Sequence, residues 1–218
     1  MSEEESFRIK FWGVRGSVPC PGPKTVRYGG NTTCMEINCG SRTLIIDAGS
    51  GIRELGLSLL QRGGPVQADV FFTHLHLDHV TGFPFFAPFY NPSNSFTLYA
   101  GHLQQPKTLE GILKNMIITD PMFPVPASVI LGCCQFKDFD SGADLHPHED
   151  VLVKTAPLNH PNGACGYRVE YNGHAIAVIT DTEQPEEGMD ENVLRLVQDA
   201  DVMVYDAAYT DEEYPKFK

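Results

Sequence analysis

Residues 73–82 read THLHLDHVTG. Three of the chain's eight histidines, His74, His76 and His79, fall within six positions there, with Asp78 among them. The stretch follows the apolar run ADVFFT (68–73), so the cluster begins where a buried strand ends. Imidazole and carboxylate are the usual ligands of zinc and similar divalent ions. In an extended turn, side chains at i and i+2 share a side, so His74 and His76 converge on one ion. Asp78 and His79, at the start of the next turn, then face a second. The competing reading is a polar loop with chance histidines, and it does not account for so much imidazole in so short a stretch.

Outward from this stretch the chain reads as alternating strands and helices. FRIKFWGV (7–14) alternates Phe7, Ile9 and Phe11 with Arg8, Lys10 and Trp12, the pattern of a half-buried strand with the first set inward. TCMEINCG (33–40) and TLIIDAG (43–49) read as strands, the second ended by Asp47. In GIRELGLSLLQRGG (51–64), Ile52, Leu55, Leu59 and Leu60 recur at helical spacing and glycines close the helix. FPFFAPFYNPSNS (83–95) holds three prolines and reads as loop or broken helix. FTLYAG (96–101) is a strand and TLEGILKNMI (108–117) a helix.

From residue 151 the pattern restarts. VLVKTAPL (151–158) is a strand, and YRVEYNGHAIAVITD (167–181) a hairpin turning at Asn172-Gly173. ENVLRLVQDA (191–200) is a helix and DVMVYDAAY (201–209) a strand. Each half has an apolar strand ending in an aspartate, Asp47 or Asp181, followed by a helix and a further apolar strand. A duplicated β-rich unit with outer helices predicts a layered α/β fold. Residues 1–218 carry no linker-like shift in composition and are read as one domain.

Composition narrows the function. Sixteen basic against 28 acidic side chains give a net charge of −12, which disfavours a grip on long nucleic acid. No apolar run is long enough to span a membrane, and the start, MSEEESF, is the opposite of a signal peptide. The six cysteines form no CxxC pair and are read as reduced thiols of a cytoplasmic protein.

THLHLDH resembles the signature of the metallo-β-lactamase superfamily. That resemblance implies a four-layer αββα sandwich of two similar halves, with a lone downstream histidine and a strand-ending aspartate completing the site. LNHPNGACGYRVEYNGHAIAVITDTE (158–183) supplies His160 and Asp181 in that order. FWGVRGSVPCPGP (11–23), RYGGNTTCMEI (27–37) and YDAAYTDEEYP (205–215) resemble a bacterial branch related to tRNase Z and cyclic phosphodiesterases. The resemblance implies that His74, His76 and His160 hold a first metal, Asp78 and His79 a second, and that Asp181 bridges them. The cofactor expected is a pair of divalent ions, zinc first, with manganese or iron as alternatives. Relatives complete the second site with a histidine near the C-terminus. This sequence has none after His174 and stops at DEEYPKFK, so it is read as lacking the final helix and strand.

Outside the cluster, His102, His146, His148 and His174 are assigned structural or surface roles, and Cys133-Cys134 to packing. Asp47 is read either as the partner that orients a metal-binding histidine or as a helix cap. Gly49 and Gly51 offer a place where backbone could approach a ligand. Two metals would convert a bridging water to hydroxide near neutral pH, with Asp78 accepting or steering its proton. The leading expectation is a phosphodiesterase for a small nucleotide, cyclic forms included. The alternatives are a tRNA 3′-processing endonuclease, a hydrolase of thioesters, lactones or β-lactams, and a non-catalytic metal-binding sensor or partner module. The expected partner is a small phosphodiester, with no membrane and no long nucleic acid; a homodimer is left open.

Overall fold

The computed structural model of the chain describes residues 6–210 and 212–216. The acidic start (1–5) and Asp211, Phe217 and Lys218 of the final stretch lie outside the described residues. Two mixed sheets face each other with helices on both outer sides.

The first sheet runs in the order β1 (Phe7–Gly13), β2 (Cys34–Cys39), β3 (Arg42–Ile46), β4 (Gln67–Phe72), β5 (Ser95–Ala100), β6 (Cys134–Asp138). β1, β2 and β3 pair antiparallel, and β3 to β6 pair parallel. The second sheet runs β11 (Val202–Tyr205), β10 (His174–Ile179), β9 (Ala164–Tyr171), β8 (Val151–Leu158), β7 (Asp144–His148), antiparallel except for β10 with β11. The expected hairpin is present, with Asn172 at φ 49° and Gly173 at φ 78°, the two left-handed positions a two-residue turn of this kind requires.

Between the sheets lie Ile37, Leu44, Ile46 and Phe71 from one side and Val153, Tyr167, Val169 and Val178 from the other. Phe71 stacks on Tyr99 at 4.4 Å and meets the edge of Tyr167 at 5.5 Å. The outer face of the first sheet is covered by α1 (Ile52–Gln61), which buries Ile52, Leu55 and Leu59. The outer face of the second is covered by α5 (Glu191–Val197), whose Val193 and Leu196 pack on Ala156, Leu158 and Ile179. This is the αββα sandwich expected. β4 is buried on both faces, with Val70 and Phe72 toward the helices and Phe71 toward the other sheet, which explains why its apolar residues run consecutively from Val70 to Phe72.

Several local expectations are corrected. The register of β1 shifts between Phe11 and Gly13; Phe11 is 47% exposed, and Trp12, on the face it shares with Lys10, packs toward the cluster under α1 and donates to the buried Glu36 at 2.9 Å. Leu60 lies on the exposed side of α1. The helix expected over 108–117 divides into α3 (Leu109–Ile112) and a wider turn (Leu113–Ile117), closed by Ile118 N–H donating to Leu113 C=O. Residues 83–90 form two short 3₁₀ turns whose Phe83, Phe86 and Phe89 are buried against Phe72 and Phe96. His146 and His148, given only structural or surface roles above, lie on strand β7, and His148 reaches across the sandwich to the buried Asp69 at 2.8 Å. All six cysteines are free thiols. Among the described residues no helix is long and apolar enough to cross a membrane.

Candidate metal centre

Three strand ends from the two sheets deliver the candidate ligands. β4 ends at Phe72 and runs into Thr73–His76; the single turn α2 (Leu77–Val80) follows, with His76 at its N-cap. β8 ends at Leu158, two residues before His160, and β10 at Ile179, two residues before Asp181. The loops bearing His160 and Asp181 are tied together, since Glu183 N–H donates to Asn159 C=O at 2.8 Å. Sheet-to-sheet bonds pin the histidine loop: Cys165 N–H donates to Thr73 C=O at 2.8 Å, and the fully buried Tyr167 hydroxyl donates to Phe72 C=O at 2.6 Å.

The loop also packs against the turn after β3. Ala48 N–H donates to His79 C=O at 2.7 Å and Gly82 N–H to Ala48 C=O at 3.0 Å. A Cβ on Gly49 would stand 2.3 Å from Asp78 O, and one on Gly51 would stand 2.6 Å from Trp12 O. The glycines thus admit neighbouring backbone, not a ligand.

All six expected residues come together. His76 Nδ1 is 3.0 Å from His74 Nε2 and 3.1 Å from His160 Nε2. His79 Nε2 is 3.2 Å from Asp181 Oδ2 and 3.6 Å from Asp78 Oδ2. Two groups have donor atoms mutually within 4.8 Å: His74, His76 and His160, and His74, His79 and Asp181. His74 and His79 are buried, while His76, His160 and Asp181 form the half-buried mouth. Tetrahedral zinc with bonds near 2.0–2.1 Å separates its nitrogens by about 3.3 Å, so the three-histidine group fits such an ion. Converging imidazole nitrogens with a carboxylate alongside suit a divalent cation better than any neutral guest.

Asp47 is the orienting partner and not a helix cap; Gly51 occupies the N-cap of α1. Asp47 has left-handed backbone (φ 62°), is fully buried, and accepts from His79 Nδ1 at 2.8 Å and from Thr73 N–H at 2.8 Å. Asp181, its counterpart in the second half, shares that backbone conformation at φ 48°. Ser17 N–H donates to Asp78 Oδ2 at 2.7 Å, seating the loop after β1 on the cluster. Residue patterning did not single out Ser17 or Thr73. Thr73 adjoins the histidine motif, and the Ser17 contact joins positions 61 residues apart.

The electrostatics sort the histidines. Burial, then the charge of His79, drives His74 down to about 2, and burial also lowers His160. Burial alone would lower His79 too, but the Asp47 charge and hydrogen bonds to Asp181 and Asp47 raise it to about 10. Burial opposes ionisation of Asp181, yet bonding to His79 keeps its carboxyl below the usual range. His102 belongs to neither donor group; burial lowers it to about 4, and its buried Nδ1 has no hydrogen-bond partner among the described residues. His174 stands at the opposite end of β10 from Asp181, exposed and 3.2 Å from Asp201.

Residues 42–216 match the family model described as the β-lactamase superfamily domain. The chain belongs to that superfamily. Within it, this member is 26% identical over 177 residues to ribonuclease Z of Synechococcus sp. (strain CC9902), covering 75% of this chain and 49% of that protein. The chain thus spans about half the length of that curated relative. Among solved superfamily folds, Zn(2+)-bound PqqB from Methylobacterium extorquens superposes with a TM-score of 0.65 at 16% identity, over 91% of this chain and 72% of that one. The short form of human tRNase Z gives 0.62 at 18% identity, over 95% of this chain and 81% of that one.

Proposed function

We propose that the chain is a metal-dependent phosphodiesterase, with a small nucleotide phosphodiester as substrate. The observation that carries it is the convergence of His74, His76 and His160 nitrogens next to His79, Asp78 and Asp181. His74, His76 and His160 would hold one ion, and Asp78 and His79, with Asp181 alongside, would hold a second. Divalent ions bound there supply charge stabilisation for phosphoryl oxygens and acidify a bound water.

The chain's own residues do the rest. Asp78 accepts or steers the proton of the attacking water, held in place by Ser17 N–H. Asp47 fixes the ring of His79 so that Nε2 faces the site. With two carboxylates against two divalent ions, the centre keeps net positive charge, suited to an anionic diester. The loop seated on Asp78 supports the same substrate class: residues 14–35 hold Arg15, Lys24 and Arg27 and no acidic residue, in a chain of net charge −12. The names of the ribonuclease Z and tRNase Z relatives favour a second reading, cleavage of an RNA phosphodiester.

The test is turnover of an aryl phosphodiester, cyclic nucleotides, a precursor tRNA and a lactone by the zinc- or manganese-loaded chain. Diester hydrolysis that prefers cyclic nucleotides supports the first reading, and preference for the tRNA the second. Full metal loading with hydrolysis of the lactone alone would overturn both, and loading without any hydrolysis would leave a metal-binding module.

A further inference from the structure

The Thr73 side chain sits at the centre of the buried network behind the candidate ligands. Its Oγ1 lies 3.0 and 2.9 Å from the two Asp47 oxygens, and 3.2 Å from Nδ1 of both His74 and His79. Thr73 and Asp47 are fully buried and His74 is 1% exposed, so no bulk water can replace a missing partner.

We infer that Thr73 is a positioning residue that fixes the tautomer of His74, relaying the anchor of Asp47 so that His74 Nε2 presents its lone pair to the three-histidine group. The assignment follows from counting donors. An ionised carboxylate only accepts, so the threonine hydroxyl hydrogen goes to Asp47. His79 Nδ1 has a closer acceptor in Asp47 Oδ2, at 2.8 Å, and gives its proton there. The threonine oxygen then has a free lone pair facing His74 Nδ1, which must carry a proton to use it. The chain His74 Nδ1–H to Thr73 O–H to Asp47 leaves His74 Nε2 unprotonated, 3.0 Å from His76 Nδ1. One carboxylate thereby orients two ligands, His79 directly and His74 through a hydroxyl. Thr73 N–H also bonds Asp47 Oδ1 at 2.8 Å, and this bond survives any side-chain change. A substitution at 73 therefore acts on His74 and leaves the Asp47–His79 bond in place.

Replacing Thr73 by valine, nearly isosteric but without the oxygen, removes the only acceptor assigned to His74 Nδ1. The buried ring then escapes an unsatisfied N–H by moving its proton to Nε2, where it points at the donor atoms a metal would need. The inference rests on reading His74, His76 and His160 as the metal-holding group, and the experiment separates the two. Ring ¹⁵N shifts of His74, recorded on the metal-free full chain, read the tautomer without any metal; zinc competition against a chelating dye and the visible spectrum of the Co²⁺-loaded protein read the site.

The wild type is expected to show the Nδ1–H form. T73V should show the Nε2–H form, a zinc affinity lower by about 10- to 100-fold and an altered Co²⁺ spectrum, and T73S should restore all three. A wild-type His74 found as Nε2–H overturns the inference, whether or not T73V folds. A T73V protein with wild-type tautomer and affinity overturns it equally. A wild type that binds no zinc or cobalt would overturn the metal reading instead, while the ring shifts would still decide the part of Thr73.

Discussion

Asp47 Oδ2 lies 2.8 Å from His79 Nδ1, and both side chains are sealed from solvent. The carboxylate comes from the end of β3 and the imidazole from the turn beyond β4, neighbouring parallel strands of one sheet. Their contact sets which nitrogen of His79 faces Asp181 and Asp78. Replacing Asp47 by asparagine keeps the shape and removes the charge. Metal affinity of the cluster is expected to fall about 10- to 100-fold, read by chelator competition; an unchanged affinity would remove Asp47 from the site.

Asp78→Ala separates holding a metal from doing chemistry. Hydrolysis of an aryl phosphodiester is expected to vanish, while an ion held by His74, His76 and His160 remains. Metal analysis after desalting, run beside the assay, checks both halves. Turnover near that of the wild type with full loading would show that Asp78 has been given the wrong role.

The histidines predict different proton costs for metal binding. His74, held at about 2, has no proton to lose at neutral pH, whereas His79, raised to about 10, must release one. A raised pKa means that protonated His79 stabilises the metal-free fold fully below its ordinary value of 6.5, and that this contribution fades as pH climbs toward 10. Affinity for an ion at His79 should therefore rise with pH across that same window, and that ion should be lost first on acidification. Titration calorimetry in buffers of different ionisation heat is expected to give about one proton released with that ion. No release at all would contradict the assignment.

Tyr167 spans the sandwich to hold the strand that feeds the histidines. Its hydroxyl donates to Phe72 C=O at 2.6 Å in full burial. Tyr167→Phe should cost about 1–2 kcal/mol, measured by urea denaturation of the metal-free chain. Equal stability would mean that the bond has no net value.

Gly49→Ala places a methyl 2.3 Å from Asp78 O and 2.6 Å from Thr33 O, both backbone atoms. Neither can swing aside as a side-chain tip would, so the turn after β3 and the histidine loop must separate. The expected loss is about 3 kcal/mol, together with weaker metal retention. Wild-type stability would show that the two loops tolerate a gap.

Residue patterning was enough for the ligand chemistry and the layering. HLHLDH could be read because its residues are neighbours, and strand and helix periods exposed the two halves, each with its strand-ending aspartate. His160 and Asp181 were legible only through the superfamily resemblance, since nothing local marks one histidine over another. Tertiary structure alone decided the rest. β7 carries too little apolar alternation to be recognised, and it exists because β8 offers an edge to pair with. Trp12 is covered because the face of β1 that it shares with Lys10 packs toward the cluster under α1, which local alternation of residue types does not reveal. Ser17 acts through a backbone N–H that nearly every residue possesses, and Thr73 through a hydroxyl shared by every threonine and serine of the chain, so only their placement, 2.7 Å from Asp78 and 2.9 Å from Asp47, distinguishes them. Residue type announces which atoms can bind a metal; which nitrogen points at it depends on hydrogen bonds between segments that meet only when the chain has folded.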